Sequence, residues 1–261
     1  MVPYIIGGIL VVLGAFIAIY VPQRIKRKNV EIQFAKTTTL GELKQTLADN
    51  AAAGLEGYRQ YAELKGAAAT DAPQKTPFSE QDAAYFNADL YQVYEESEQY
   101  TDEQGTHTRM KRSESHLSNQ KSYAPLLLQD ASGGRAVIEL AETGMQLDTC
   151  KTLDKFEPTG MLQQYSFFSG FNFNPMGART LGYRMVEHTI PVGQPLYVLG
   201  EAELAGDTVT IRKPKDKKKP FIVSVKSEGD LIRGNKTGAI VALVGGIVLA
   251  VAGILVMILV H

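Results

Sequence analysis

The stretch from Thr237 to Val260 constrains this chain most, because it contains no charged residue and no proline. An α-helix rises about 1.5 Å per residue, so a helix of this length exceeds the roughly 30 Å apolar core of a bilayer. A buried helix of a soluble domain is the alternative, but such helices rarely run this far without a polar face. We therefore predict a transmembrane helix over residues 237–260.

A second apolar stretch runs from Tyr4 to Val21, and Pro22 is predicted to end it, which gives a first transmembrane helix over residues 1–22. A secretory signal peptide carries its positive charge before the apolar stretch and a small-residue cleavage site after it. In this chain the positive charge follows the stretch, which favours an uncleaved membrane helix. The basic residues concerned are Arg24, Lys26, Arg27 and Lys28.

The charges beside the two apolar stretches predict which way the chain crosses the membrane. Basic residues lie on the inner flank of both stretches, whereas the outer flanks hold only the terminal amine and His261. Because basic flanks stay on the cytoplasmic side, we expect the middle of the chain in the cytoplasm and both termini outside. Long domains sometimes translocate against such charges. The basic residues near the second stretch are Lys217, Lys218, Lys219, Lys226, Arg233 and Lys236.

Small residues recur at every fourth position in both stretches, a spacing that lets membrane helices approach closely. This predicts a helix-packing face, and it also allows self-association between copies of the chain. The alternative is that glycine and alanine are simply frequent in membrane helices. The residues of this face are Gly238, Ala242, Gly246 and Ala250, with Gly14 and Ala18 in the first stretch.

The residues between the apolar stretches are numerous enough for one sizeable domain. Residues 23–54 are predicted to form a basic linker and a helix, because Thr39 and Glu42 match a capping box ahead of a helical leucine period over residues 40–52. Residues 55–232 contain many short alternating segments separated by turns. The predicted fold is therefore α+β, a β-rich antiparallel soluble domain flanked by two transmembrane helices.

Glycine- and proline-containing turns predict three hairpins within this domain. Residues 97–122 carry mixed charges and almost no large apolar side chain, so we expect a long hairpin loop or a mobile excursion there. The predicted hairpins join residues 123–129 to 135–142, 184–190 to 194–204, and 203 to 208–212.

Two segments are candidates for an interaction surface. An uncharged segment is rich in phenylalanine, which predicts either a part of the core or an exposed apolar patch that touches lipid or a partner. A lysine-rich segment over residues 213–219 would attract anionic lipid beside a membrane, or would form a solvated hairpin tip. The candidate residues are Phe167, Phe168, Phe171, Phe173, Lys217, Lys218 and Lys219.

The sequence offers no recognisable catalytic centre. Its 27 basic and 28 acidic residues leave almost no net charge, which gives no reason to expect a nucleic-acid partner. Motifs for metal hydrolysis, a serine nucleophile or a phosphate-binding loop are missing, so we expect no catalytic residue, no metal and no cofactor. The single cysteine, Cys150, excludes an intrachain disulfide and is the only candidate for a thiol nucleophile.

Five short motifs occur in an order that resembles the GIDE domain, also called the beside-a-membrane domain. The resemblance covers roughly residues 55–260. The motifs are Glu63–Gly66, the Leu128–Asp130 turn, Glu187–Gly193, Leu196–Glu201 and Lys219–Ser224.

The GIDE resemblance implies a domain that lies between two membrane helices and recognises partners, in a family that includes a mitochondrial E3 ubiquitin ligase and prokaryotic relatives. In the ligase, a C-terminal RING module performs the transfer. A RING requires about eight cysteine and histidine ligands for two zinc ions, and this sequence has one cysteine and four histidines. The resemblance therefore implies a RING-less, prokaryotic-type relative in the cell membrane.

These observations predict a two-pass membrane-anchored interaction or scaffold module. Its expected partners are the lipid bilayer and a membrane-associated protein, without nucleic acid. The first alternative is a component of an E3 ubiquitin ligase-like system that uses a RING supplied by another chain. The second alternative is an unrecognised membrane-tethered hydrolase that uses Cys150.

Overall fold

The structure, a computed structural model, describes residues 2–55, 57–102, 105–141, 143–159 and 179–259. Its helices are α1 (Val2–Phe34), α2 (Leu40–Ala52) and α3 (Glu228–Leu259). The strands are β1 (Arg59–Ala69), β2 (Gln74–Lys75), β3 (Asp82–Asp102), β4 (Gly105–Lys121), β5 (Leu126–Gln129), β6 (Arg135–Ile138), β7 (Met145–Asp148), β8 (Cys150–Pro158), β9 (Arg179–Pro191), β10 (Pro195–Ala205), β11 (Thr208–Arg212) and β12 (Phe221–Ser224). The prediction of a β-rich α+β fold with two long apolar terminal helices is confirmed.

The first sheet closes on itself to form a small barrel. The strands run in the order β1, β5, β6, β11 and β10, and β10 then pairs with β1 from Arg59↔Glu203 to Ala67↔Pro195. Strand β12 pairs with β10 along the edge opposite β1, next to β11, and β7 then pairs with β12. Closure removes the free edges of the ring and surrounds a core of aliphatic side chains. The most buried of these include Leu64, Leu126, Leu128, Val198 and Ile211.

Helix α2 completes the barrel core, as its leucine period predicts. Leu40, Leu43 and Leu47 are fully buried among the barrel side chains. The predicted capping box is present, because Thr39 accepts a hydrogen bond from the Glu42 N–H at 3.2 Å and the Glu42 carboxylate faces the Thr39 N–H. The β5–β6 turn adds a second cap, since the Asp130 carboxylate accepts the Leu40 N–H at 2.6 Å. The buried leucines and the Asp130 cap therefore fix the orientation of α2 relative to the barrel.

The second sheet contains a long ribbon that the sequence prediction missed. Strand β9 lies between β3 and β8, and β4 pairs with β3 from Asn87↔Lys121 to Asp102↔Gly105. The prediction of a long hairpin loop or a mobile excursion over residues 97–122 is therefore right that the chain turns back on itself there, and wrong that the segment is a loop, because its two arms are paired strands. The polarity that suggested a loop has a different cause: the ribbon covers no core at its outer end, so alternation of apolar side chains is not required there.

The predicted hairpin between residues 184–190 and 194–204 is also wrong. Strand β9 pairs with β3 and β8, whereas β10 pairs with β1, β11 and β12. The turn at Pro191–Gly193 therefore carries the chain from one sheet into the other. Two further pairs, β6 with β11 and β7 with β12, are parallel, so the mostly antiparallel barrel sheet is mixed. Alternation identified the strands but could not identify their partners.

Helix α1 does not end at Pro22 as predicted, but continues to Phe34. A proline removes one backbone hydrogen bond, and helices in close contact with a neighbour tolerate that loss. Helices α1 and α3 pack antiparallel along their length, since Gly7 contacts Gly253 and Gly14 contacts Gly246. The segment after residue 22 is therefore a helical stalk about 20 Å long rather than a linker.

The stalk is fixed to the outside of the barrel by an apolar cluster. Ile32 near the end of α1 and Leu231 near the start of α3 pack on Tyr197, Leu199 and Ile222 of β10 and β12. Both helices therefore join the barrel at one place.

Candidate functional site

A cleft of about 1000 Å³ lies between α1 and the loop that joins β11 to β12. Two basic segments, almost two hundred residues apart in the sequence, meet across it. Among the described residues that line it, seven are basic and only Glu31 is acidic. The basic residues are Arg24, Lys26, Arg27, Lys28, Lys217, Lys218 and Lys219. We call this feature the basic cleft.

The side chains of the basic cleft fall into two groups. Lys28 and Lys219 have partners: the Lys28 ammonium donates to the Gln146 side-chain oxygen, and the Lys219 ammonium lies 4.8 Å from the centre of the Tyr61 ring. Within the described residues, the other group forms no ion pair and no side-chain hydrogen bond. Its members are Arg24, Lys26, Arg27, Lys217 and Lys218. Two cations of the cleft are thus held by neighbouring side chains, and five have no partner in that part of the chain.

The loop that carries the lysines is held in a defined shape. Asp216 accepts the Lys218 N–H with its side chain at 2.9 Å, and its backbone carbonyl accepts the Lys219 N–H at 3.0 Å. At the end of the loop, the Tyr61 hydroxyl donates to the Pro220 carbonyl at 2.9 Å. These contacts keep Lys217 and Lys218 at the cleft.

The cleft lies next to the apolar part of α1. At about 1.5 Å per residue, Arg24 and Arg27 lie roughly 5 and 9 Å beyond Val21, the last residue of the apolar stretch. Tyr20, within that stretch, also lines the cleft. Both α1 and α3 are long and apolar enough to cross a membrane. If they do, the cleft opens at the depth of the lipid headgroups.

A buried carboxylate connects the barrel with α3 and with the segment that follows α1. Glu63 of β1 is 2% exposed and accepts the Thr37 hydroxyl at 2.6 Å and the Tyr197 hydroxyl at 3.0 Å. The Lys65 ammonium bridges Glu63 at 2.8 Å and Glu228 of α3 at 3.0 Å. Burial, and then the Glu63 charge, raise the pKa of the Tyr197 phenol well above its usual range, so the hydroxyl stays a donor. We call this set the Glu63 network.

A second buried carboxylate has a structural role. Glu187 of β9 accepts the backbone N–H groups of Phe78 and Ser79, at 2.7 and 3.2 Å, and the Ser79 hydroxyl at 2.5 Å. It therefore holds the turn before β3 against the second sheet. His188 follows Glu187 in the strand and lies near the Thr149 hydroxyl, at 3.5 Å.

The remaining predicted site residues are placed as follows. Phe167, Phe168, Phe171 and Phe173 lie outside the described residues. Cys150 is half-buried at the start of β8, opposite Thr189. Among the described residues, no group of three or more histidine, cysteine, aspartate or glutamate side chains is placed to hold a metal ion.

The predicted helix-packing residues of α3 face α1 of the same chain. A β-carbon on Gly246 would lie 2.8 Å from the Ala18 β-carbon, and Ala250 lies beside Gly14. A β-carbon on Gly238 would lie 4.0 Å from Ile25, while Ala242 is half-buried. Further along the pair, Gly7 and Gly253 make a similar close contact that the sequence pattern did not single out.

The fold and the cleft define a class: a closed β-barrel domain, extended by a ribbon sheet and carried on two long apolar helices. The chain belongs to the GIDE family, whose model, described as E3 Ubiquitin ligase, matches residues 95–258. The family label therefore suggests an E3 ubiquitin ligase-related function. Comparison with curated proteins and with solved structures returns no match.

Proposed function

We propose that this chain is a two-pass membrane-anchored interaction module that holds a partner at the membrane surface without a catalytic centre of its own. In this proposal α1 and α3 anchor the barrel in a prokaryotic cell membrane, and the basic flanks support a cytoplasmic location of the barrel. The first support is the Glu63 network together with the apolar cluster around Ile32, which fix the barrel to both helices. An anchored domain that cannot tumble presents the same surface to its surroundings at all times.

The observation that carries the proposal is the outer end of the β3–β4 ribbon. Among the described residues, the last contact of β3 with β9 is at Glu95, yet β3 and β4 continue as a pair to Asp102↔Gly105. Within that part of the chain, the outer segment has strand edges without a partner, and such edges are ready to pair with another chain. It also exposes Met110 to 62% and Tyr100 to 41%. Methionine and tyrosine are enriched where proteins bind one another.

The ribbon proposal is tested by photocrosslinking in the native membrane. A photoreactive residue in place of Met110 should give one discrete adduct with a membrane-associated protein. The same residue in place of Asp207, a fully exposed position on the barrel, is the matched control and should give none. Deletion of residues 98–109 should leave the barrel folded and abolish capture of the same protein. The absence of an adduct from all ribbon positions would contradict the proposal.

The proposed topology is tested separately with reporter fusions. A reporter inserted between residues 102 and 105 should be active in the cytoplasm, and a reporter fused after His261 should be active outside. The reverse labelling would overturn the argument from flanking charge.

A second candidate function follows from the family label. The chain would then be the substrate- or partner-recruiting component of a ubiquitin ligase-like system in which another chain supplies the RING. Purified chain with activating and conjugating enzymes should form no ubiquitin conjugate by itself, and conjugate formation on the ribbon partner should require an added RING protein. Conjugation by the purified chain alone would refute this division of roles.

A further inference from the structure

We propose that the basic cleft binds the phosphate of an anionic phospholipid headgroup. This inference rests on the proposed membrane anchoring, and it assigns the cleft a ligand that the interaction proposal does not need. The ribbon and the cleft use different residues, so each can fail without the other.

The first argument is the convergence of unpartnered cations on one cavity. Arg24, Lys26 and Arg27 come from α1, and Lys217 and Lys218 come from the β11–β12 loop. Like charges repel one another, so an anion between these five cations would stabilise them in one cleft. A phosphate diester fits this arrangement, because arginine binds its oxygens in a bidentate geometry and lysine adds a mobile point charge.

The second argument is that two side-chain contacts hold the walls of the cleft in place. The Lys28–Gln146 contact ties α1 to β7, and the Lys219–Tyr61 contact ties the loop to β1. The cleft walls are therefore set before a ligand arrives, which reduces the entropy that binding must overcome. Lys28 and Lys219 orient the walls, while the five other cations remain available for the ligand.

The third argument is the position of the cleft relative to the lipid bilayer. Arg24 and Arg27 lie roughly 5 and 9 Å past the end of the apolar stretch, and the polar layer of a bilayer leaflet is about 5–8 Å thick. Tyr20, at the lower edge of the cleft, is a residue type that concentrates at this interface. A lipid phosphate beside α1 therefore reaches the cleft with its acyl chains still in the apolar layer. A soluble anion has no such reason to bind at this depth.

The test uses the full chain purified in an uncharged detergent. Binding of dihexanoyl-phosphatidylglycerol is compared with binding of dihexanoyl-phosphatidylcholine, a short-chain lipid of the same length without net charge. We expect saturable binding of the anionic lipid at least tenfold tighter than that of the neutral one. Each juxtamembrane cation contributes roughly a fivefold change in affinity. The double variant Lys217→Gln/Lys218→Gln should therefore bind the anionic lipid roughly 25-fold more weakly.

The matched control is Arg233→Gln/Lys236→Gln. These residues are exposed on α3, within about 6 Å of its apolar stretch, but do not line the cleft. The control removes the same charge and should weaken binding less than threefold. Equal losses in the two double variants would show a diffuse field instead of a site, and would overturn the proposal.

Competition distinguishes the source of the phosphate. Inorganic phosphate and a short polyglutamate peptide are each added to the complex with phosphatidylglycerol. At the concentration of the lipid, neither should displace it. Displacement by inorganic phosphate would assign the cleft to a free anion, and displacement by the peptide would assign it to an acidic protein segment. Either result refutes the lipid site while leaving the crosslinking result on the ribbon unaffected.

Discussion

Gly14 of α1 and Gly246 of α3 lie backbone against backbone. A β-carbon on Gly14 would lie 2.5 Å from the Gly246 carbonyl oxygen, and one on Gly246 would lie 2.6 Å from the Gly14 carbonyl oxygen. Apolar helices in lipid gain little from burying apolar surface, so close packing of this kind holds them together. The pair therefore depends on the absence of side chains at two positions.

The first prediction concerns this contact. Gly246→Val should push the helices apart and lower the free energy of unfolding in detergent by about 1–3 kcal/mol, the usual cost of overpacking. Gly245→Val is the matched control, because a β-carbon there meets nothing within 4 Å. Thermal unfolding followed by circular dichroism measures both. A control as unstable as Gly246→Val would show that valine at this depth is itself the problem.

The second prediction concerns the Glu63 network. Glu63→Ala leaves the buried Tyr197 hydroxyl without its acceptor and releases Thr37 and Lys65, so it should lower the free energy of unfolding by about 3 kcal/mol. Tyr197→Phe removes only one of these hydrogen bonds and should cost about 1 kcal/mol. Urea titration of the detergent-solubilised chain gives both values. Glu139→Ala, an exposed ion-pair partner of Arg212, should change stability by under about 0.5 kcal/mol.

The third prediction concerns Asp148 of β7. Partial burial raises the pKa of its carboxyl, but hydrogen bonds from Lys226, Gln146 and Ser224 outweigh that effect, so the pKa in the folded chain lies below the usual value of 3.8. A lowered folded pKa means that the carboxylate stabilises the fold above the unfolded pKa, and that this contribution is lost as the pH falls through the folded pKa.

Asp148→Asn should therefore be less stable than the unmodified chain at pH 7, by the same margin at pH 5, and by a shrinking margin below about pH 4. Urea midpoints at these pH values measure the difference. Asp207→Asn is the control, because its side chain is 94% exposed. A margin for Asp148→Asn that grew on acidification would reverse the sign and contradict the assignment.

The fourth prediction concerns Cys150. Its side chain is half-buried in a strand and belongs to no metal-binding group among the described residues. Cys150→Ser should therefore change stability by under about 0.5 kcal/mol and leave ribbon crosslinking intact. Metal analysis of the purified chain should find zinc well below one ion per molecule. Stoichiometric zinc, or loss of function in the serine variant, would bring the hydrolase alternative forward.

The sequence predicts those parts of the fold that depend on neighbouring residues. Thr39 and Glu42 predict the start of α2, because all residues of a capping box lie within four positions of the sequence. The two apolar helices can be predicted because each is marked by a continuous run of apolar residues within its own sequence. The pairing of β1 with β10 is different, because nothing near Glu63 indicates that Leu199 lies opposite it.

The candidate site also depends on contacts between residues that are distant in the sequence. Lys217 and Lys218 stand out in the sequence as a basic run, but their meeting with Arg24 and Arg27 depends on α1 continuing past Pro22. A local rule ends the helix at proline, and packing against α3 overrides that rule. The burial of Glu63 was also missed, because a carboxylate surrounded by donors looks in sequence like any surface glutamate.

Closure of the barrel has a consequence for how the chain is made. The edge of β1 is complete by Ala69, but its partner β10 begins only at Pro195. At about 5–20 residues per second, β10 is synthesised roughly ten seconds after β1, and this edge of β1 has no partner during that time. Until β10 emerges, the nascent chain is an open half-barrel with an exposed strand, and α1 lacks the glycine face of α3. Ribosome pausing before residue 205 therefore prolongs the most aggregation-prone stage of biosynthesis, whereas a pause after it does not.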